Sequence, residues 1–510
     1  MVVKQDKVPF EDALRMAGFG KFNILAFVLC GSVIVGMAFE IFSVSYLVPG
    51  SACELGTTSA QQGLMAAVPL IGIILTSHVW GYLADRKGRR KILAISMSLA
   101  FVSGTLAAFS PNWIVLSVLK LCSSAAVSGA YAMGLTLMSE YTVMEKRSLF
   151  VLLTTTVFLV FIGLMAVLSI PILSLKFSFY IPYLDIHFNA WRLLDLIFAL
   201  PCAIGAIGVK YSYESPKYLL GEGKHDEALE VLRGIFEKNS GKSGDLYRVN
   251  SVVLDEESKA DAVGFWASMK AQTLPLLRQP LLKDTMLLSL LMFIVYVCIN
   301  PYQVWLPFIV NAAMSSVEKG HTNLTLCQMI RLSRNSSFTE EPTEPTDCSM
   351  NHFAMMVVFS ISMVVGLLNL VTSGITQYVG RKSLFIGLQI IGGVAAIYIN
   401  FSNNWIVSAI CVMIYLTGII NFASLTSYCV DVYPTYVKAM AVCLTLMVGR
   451  GSAIIGINVV KDLLDNNCEA GFYIFGSIYI VGGFVAFLLP TDRQIVNRKQ
   501  DLKIKLANMT

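Results

Sequence analysis

Charge is what this chain has least of. Only 14% of its 510 residues are Asp, Glu, Lys or Arg, while 55% are hydrophobic, and the mean hydropathy is +0.67. So little charge cannot cover a soluble surface, so a soluble fold is excluded and most side chains must face lipid or other apolar helices. Histidine is scarce too: His78, His187, His225, His321 and His352 are too scattered to hold a metal. No catalytic constellation stands out. Gly241-Lys242-Ser243 ends like a phosphate loop, but Phe236 occupies the place of its first glycine and no strand precedes it. We therefore expect no enzyme, no metal and no cofactor.

What the chain does have is long apolar runs. A run of about 20 apolar residues spans a bilayer as a helix. Twelve are legible, at 22–48, 62–83, 92–109, 112–137, 149–172, 191–212, 284–310, 352–376, 384–401, 405–429, 439–461 and 470–490. Six precede the polar stretch 213–283 and six follow it. Arg86, Lys87, Arg89, Arg90 and Lys91 follow the second run, Lys146 and Arg147 the fourth, Arg381 and Lys382 the eighth, and Lys438 the tenth. The positive-inside rule then places both termini in the cytosol and accounts for the net charge of +5 without nucleic acid. The expected organisation is a cytoplasmic segment 1–21, a six-helix half 22–212, a cytoplasmic linker 213–283 with amphipathic helices, a second half 284–490 and a cytoplasmic tail 491–510. Within the linker, Ser215-Pro216 reads as a helix start, 224–236 as an amphipathic helix, and 237–260 as a polar stretch without periodicity.

The two halves are related in sequence. Phe109-Ser110-Pro111-Asn112-Trp113-Ile114-Val115 returns as Phe401-Ser402-Asn403-Asn404-Trp405-Ile406-Val407, 292 positions on. At the same offset, Gly81, Asp85, Arg86, Gly88, Arg89 and Arg90 lie in a loop that returns around Gly380-Arg381-Lys382. Glu140 with Arg147 returns as Asp431 with Lys438. A duplicated membrane bundle of this size points to a transporter. In the loop, Gly81 would let helices approach, Gly88 would permit a sharp reversal, and Asp85 would meet a helix N-terminus or a cation such as Arg147. Such an ion network, made in one conformation only, works as a latch.

The Gly81–Arg90 loop and the Glu140–Arg147 motif resemble signatures of the major facilitator superfamily, and Glu214-Ser215-Pro216-Lys217 resembles its sugar-porter type. Gly18-Phe19-Gly20-Lys21-Phe22, Glu40 with Leu47-Val48-Pro49, Trp191-Arg192, Gly223–Ala228 and Asp431-Val432-Tyr433-Pro434 are similar to the synaptic vesicle glycoprotein 2 branch. The resemblance implies an all-α, twelve-helix membrane protein in two pseudo-symmetric six-helix halves, and transport of organic ions or sugars. It departs at Met37, where the branch often has Asp, and at Pro301-Tyr302-Gln303, where the sugar-porter glutamine motif is missing. Both departures count against a sugar, and the one at Met37 also counts against the branch's usual proton-coupling carboxylate and for a non-transporting glycoprotein.

Three charges stand out inside runs. Glu40 sits roughly 7 Å and Lys120 roughly 6 Å outward from the middle of their spans at 1.5 Å per residue, and Arg450 falls near the centre of the eleventh. An unpaired charge there costs at least about 2.5–3.5 kcal/mol. The resemblance places the first and fourth spans beside the central cavity, which allows a Glu40–Lys120 pair, either a structural ion pair or part of the transport site. Such a pair leaves Arg450 to favour anionic or zwitterionic solutes. Tyr302 and Trp305 are candidates to stack on a ring, and Trp305 reads equally well as an interfacial belt residue.

The long loop 311–350 holds sequons at Asn323 and Asn335, which we expect to be glycosylated on the non-cytosolic side. It also holds Cys327 and Cys348, expected as a disulfide, with Cys53 and Cys468 as competing partners. The chain reads as a secondary-active or facilitative transporter of a small organic solute, an organic ion before a sugar. It would lie in the plasma membrane or a secretory or synaptic vesicle, with the lipid bilayer and a proton as coupling ion among its partners. The alternative is a non-transporting membrane glycoprotein that acts by binding partners.

Overall fold

A computed structural model describes residues 7–254, 273–279, 281–336, 351–433, 435–491 and 494. The chain enters through strand β1 (Val8–Pro9) and helix α1 (Phe10–Ala17). The first half runs through α2 (Lys21–Phe42), α3 (Val44–Leu55), α4 (Ser59–Lys87), α5 (Arg89–Ala107), α6 (Trp113–Val127), α7 (Ala130–Tyr141), α8 (Met144–Leu173) and α9 (Ala190–Lys210). Strands β2 (Phe179–Ile181) and β3 (Ile186–Phe188) form a hairpin between α8 and α9. The polar centre contains α10 (Pro216–Gly221), α11 (His225–Ser240) and β4 (Val252–Val253). The second half runs through α12 (Leu282–Val304), α13 (Leu306–Glu318), α14 (Leu326–Ser336), α15 (His352–Val379) and α16 (Arg381–Tyr398). It closes with α17 (Trp405–Leu416), α18 (Ile420–Val432), α19 (Thr435–Asn466) and α20 (Cys468–Val485).

Among the described residues, eleven helices are long and apolar enough to cross a membrane. The ninth expected run is a helix as well, α16, only 18 residues long and opening on Arg381-Lys382. The duplicated heptapeptide has one job in both copies. Asn112 accepts hydrogen bonds from the Ile114 and Val115 amides at 3.1 and 2.9 Å, and Asn404 accepts one from Ile406 at 2.9 Å. Each asparagine thus caps the first turn of the fourth span of its half.

Four spans are discontinuous, and they occupy the same two places in each half. The first breaks at Ser43 and the fourth at Ser128-Gly129, while the seventh breaks at Trp305 and the tenth passes through a 3-10 turn at Thr417–Ile419. Pro301 withholds a backbone donor just before the seventh-span break, and Pro307 suits the first turn of α13 that follows. Broken helices free backbone groups that only a protein or water-lined interior can satisfy, so they mark solute routes in transporters.

The helices divide into two compact units. One holds the described residues of Met1–Ser43, Ile71–Met165 and Leu175–Val263; the other those of Val44–Leu70, Ala166–Ser174 and Gly264–Thr510. Within the second unit, α3 packs on α13, and a side chain at Gly63 would come within 2.8 Å of Asn458 Oδ1. Ser174 Oγ lies 2.6 Å from His352 Nε2.

The polar centre is more ordered than its composition predicts. Ser215 accepts the Tyr218 amide at 3.1 Å and Pro216 opens α10, as expected. The buried face of α11 is Ala228, Leu229, Val231, Leu232 and Ile235, and α1 buries Phe10, Ala13, Leu14 and Ala17 at helical spacing; α1 packs on α11. Beyond 236 the chain is not a featureless linker. It pairs β4 in parallel with β1 (Val8↔Val252) and buries Tyr247, whose hydroxyl donates to the Ala13 carbonyl at 2.6 Å. Burial pushes this phenol's pKa up.

The expected Cys327–Cys348 bridge is not formed. Cys327 is bonded to Cys468, at the start of α20, 141 residues away. The two Cα atoms lie 5.5 Å apart, within the reach of a disulfide, because α14 folds back beside α19, which ends at Asn466 just before Cys468. Cys53 is disulfide-bonded too, and Cys348 lies outside the described residues. Asn323 is exposed; the side chain of Asn335 lies outside the description.

Candidate functional site

The first unit buries a cluster of three charges, where two were expected. Lys120 Nζ lies 2.6 Å from Asp195 Oδ1 and 3.3 Å from Glu40 Oε2, and the three side chains are 2%, 0% and 0% exposed. Three spans supply them: α2, α6 and α9. Ser123, one turn beyond Lys120, donates to the same Glu40 oxygen. Gly104 of α5 leaves room for this carboxylate, since a methyl there would collide with Glu40 Oε1. Glu40 Oε1 and Asp195 Oδ2 are buried without a hydrogen-bond partner. Arg192, fully buried one turn before Asp195 on α9, is a second cation acting on Asp195, so the surroundings hold two carboxylates and two cations, with Lys120 alone bonded to both carboxylates. Asp195 was missed because it lies one turn inside the sixth run, where charges are readily taken as interfacial.

Arg450, in α19, is half-buried in the second unit. Its guanidinium lies close enough to the Tyr296 hydroxyl to act on it electrostatically. Gly449 permits this approach, because a side chain there would reach within 2.6 Å of the Tyr296 ring. Tyr296 stacks on Phe422 with centroids 4.2 Å apart and planes at 27°. A cation beside a stacked, half-buried ring pair is able to hold an anionic group and present an aromatic face.

Tyr302 and Trp305 do not serve as open stacking platforms. Tyr302 is buried between Tyr415, Phe472 and Phe475, at centroid distances of 5.3, 5.0 and 5.9 Å. Trp305 is 1% exposed, so it is no belt residue either, and its indole N–H donates to the Ile457 carbonyl at 3.1 Å. Its face is taken by Lys461, 5.2 Å from the ring centroid and paired with Asp465 at 3.2 Å. Lys461 closes the eleventh run and Asp465 lies one turn beyond it, so both read as end-of-span charges, as Asp195 did.

The duplicated loops form matching ion networks, each within its own unit. Gly88 and Gly380 both adopt positive φ, 94° and 84°. The next residue pairs with the carboxylate of the fourth span of its half: Arg89 with Glu140 at 3.5 Å, Arg381 with Asp431 at 2.6 Å. The residue after that caps a helix end. Arg90 donates to the Val209 carbonyl at 3.3 Å and to that of Lys210, while Lys382 donates to those of Phe487 and Leu489 at 2.7 Å each. Arg86 lies over the Tyr82 ring, 4.9 Å from its centroid. Asp85 pairs with Arg89 at 3.4 Å rather than with Arg147. Arg147 instead takes Glu11 of α1 at 2.8 and 2.9 Å and donates to the Ser139 and Thr142 carbonyls at the end of α7. Gly81 is not a close-approach point here, since nothing lies within 4 Å of a methyl placed on it. Glu214, of the linker motif, accepts the Arg90 amide at 3.0 Å and packs on Gly88. The Lys438 side chain lies outside the description.

The profile of the Major Facilitator Superfamily matches residues 28–457. The chain is 28% identical over 247 residues to synaptic vesicle glycoprotein 2B of Homo sapiens, which covers 48% of this chain and 36% of that one. It is 29% identical over 248 residues to synaptic vesicle glycoprotein 2A of Rattus norvegicus, covering 48% and 33%. The match thus spans about a third of each relative. Among solved structures, the inward-open xylose transporter XylE from E. coli superposes with a TM-score of 0.64 at 12% identity, over 93% of this chain and 98% of that one. The duplicated loops, the broken spans at equivalent places and these matches agree: the chain belongs to the major facilitator superfamily and, within it, is similar to the synaptic vesicle glycoprotein 2 proteins.

Proposed function

We propose that this chain is a proton-coupled transporter of a small organic anion or zwitterion, working by alternating access. The observation that carries the reading is the Glu40–Lys120–Asp195 cluster, two carboxylates on one ammonium in a site closed to water, each with one oxygen that no hydrogen bond meets. Two carboxylates close together raise each other's affinity for a proton, and buried charge is costly unless it is fully paired. Glu40 Oε1 and Asp195 Oδ2, the oxygens without partners, are the places for that proton. Water reaching the cluster in one conformation and not in the other would load and release it. That one structural neighbour is a D-xylose–proton symporter supports proton coupling on this fold.

For the solute, Arg450 with the Tyr296–Phe422 pair favours an anionic aromatic group over a neutral sugar, which has no use for a half-buried guanidinium. The test uses purified protein in proteoliposomes and a naphthalene sulfonate, which stays charged and does not leak across lipid. Saturable uptake that exceeds xylose uptake and is lost in Arg450→Ala supports the reading. Preference for xylose, or no saturable uptake of either, contradicts it, and the latter outcome favours the partner-binding glycoprotein.

A further inference from the structure

The connection from α8 to α9 is short, yet it is built as a hairpin whose aromatic residues face outward. Phe179 pairs with Phe188, Tyr180 with His187 and Ile181 with Ile186. The base is anchored: Phe188 stacks on Phe109 at the end of α5, with centroids 5.8 Å apart and planes at 28°, and Phe177 packs on Phe188 at 6.2 Å. Ile186 is buried as well, while the aromatic side chains toward the tip are largely exposed. Tyr183 at the tip is 100% exposed, Phe179 66%, Tyr180 54% and Leu184 42%. The carboxylate near the tip, Asp185, is turned back to accept the Tyr180 hydroxyl at 2.8 Å.

A two-stranded hairpin is marginal alone in water, and one with aromatics exposed on both faces has a reason to be elsewhere. Its position supplies one. The hairpin joins the ends of two membrane-spanning helices, and its base is pinned to the end of a third, so it emerges at the edge of the hydrocarbon layer. Tyrosine and phenylalanine bodies with polar tips suit the headgroup boundary. It lies at the far end of α8 from α1, which is tied to the start of that helix by the ion pair of Arg147 with Glu11. We propose that this hairpin lies in the headgroup region of the leaflet opposite α1, with Tyr183 and Phe179 as its lipid contacts. It would fix the depth of the first unit at one edge while the helices beside it move.

Tyr183→Cys, made in a Cys122→Ser background because Cys122 is the exposed free thiol among the described residues, is labelled with a nitrobenzoxadiazole dye. The full-length protein is then placed in phosphatidylcholine nanodiscs, with the parent lacking Tyr183→Cys as the labelling blank. Tyr183 touches nothing, so labelling leaves the fold intact. The proposal expects emission shifted to shorter wavelength than in the unfolded protein. It also expects strong quenching by lipid carrying a nitroxide near the headgroup, weaker quenching by one deep in the chain, and little by aqueous iodide. Water-like emission quenched by iodide and indifferent to both nitroxide lipids would overturn it.

Discussion

Lys120 has two carboxylate partners, and this decides what each substitution does. Lys120→Met leaves Glu40 and Asp195 facing each other without the ammonium that bonds both, which should cost about 3–5 kcal/mol if the site stays dry. Glu40→Gln keeps the 2.6 Å Lys120–Asp195 pair and exchanges only the longer 3.3 Å pair for an amide contact, so its cost should stay below about 1.5 kcal/mol. Thermal unfolding of the purified protein in detergent compares them; equal losses would mean that Glu40 alone balances Lys120. Glu40 and Lys120 were legible in the sequence as charges well inside apolar runs. Asp195, Lys461 and Asp465 were legible in principle, but position near a run's end hid them. The burial of Tyr302 and Trp305 was not legible, because periodicity identifies a helix without telling which neighbour covers each face.

The elements repeat their chemistry more faithfully than their sequence. Arg89–Glu140 and Arg381–Asp431 are one contact made twice, with a positive-φ glycine before each arginine. Gly88→Ala would hold a side chain at φ 94° and bring its methyl within 2.5 Å of Glu214 Oε2. The strained backbone alone should cost about 1–2 kcal/mol. Gly81→Ala meets nothing within 4 Å and should be neutral or stabilising by up to about 1 kcal/mol in a helix. The same unfolding measurement decides, and the opposite ranking would refute the assignment of Gly88 as the turn residue. The repeat offset made these loops and the asparagine caps readable. It did not reveal that α1 docks on α11 and gives Glu11 to Arg147, because a short amphipathic helix does not declare its partner. Disulfide connectivity was equally unreadable, since four cysteines allow several pairings. Peptide mapping without reduction should recover Cys327 joined to Cys468, and a Cys327–Cys348 peptide would contradict the packing of α14 beside α19.

At the scale of the whole molecule, hydropathy gave the number and order of the spans, and the internal repeat gave the two-fold plan. Sequence did not show that α3 and the first turns of α4 belong to the same compact unit as the second half. It also did not show that the spans broken are the first and fourth of each half. Those breaks, with a proton-holding cluster on one unit and a guanidinium beside paired rings on the other, make up the proposed transport machine. Its central claim is that solute movement carries protons through Glu40 and Asp195. The most direct measurement follows internal pH with trapped pyranine in proteoliposomes while naphthalene sulfonate is added outside. The account predicts a solute-dependent proton flux in the wild type, and solute uptake without proton flux, or neither, in Glu40→Gln/Asp195→Asn. Proton flux of wild-type size in that double variant would contradict it.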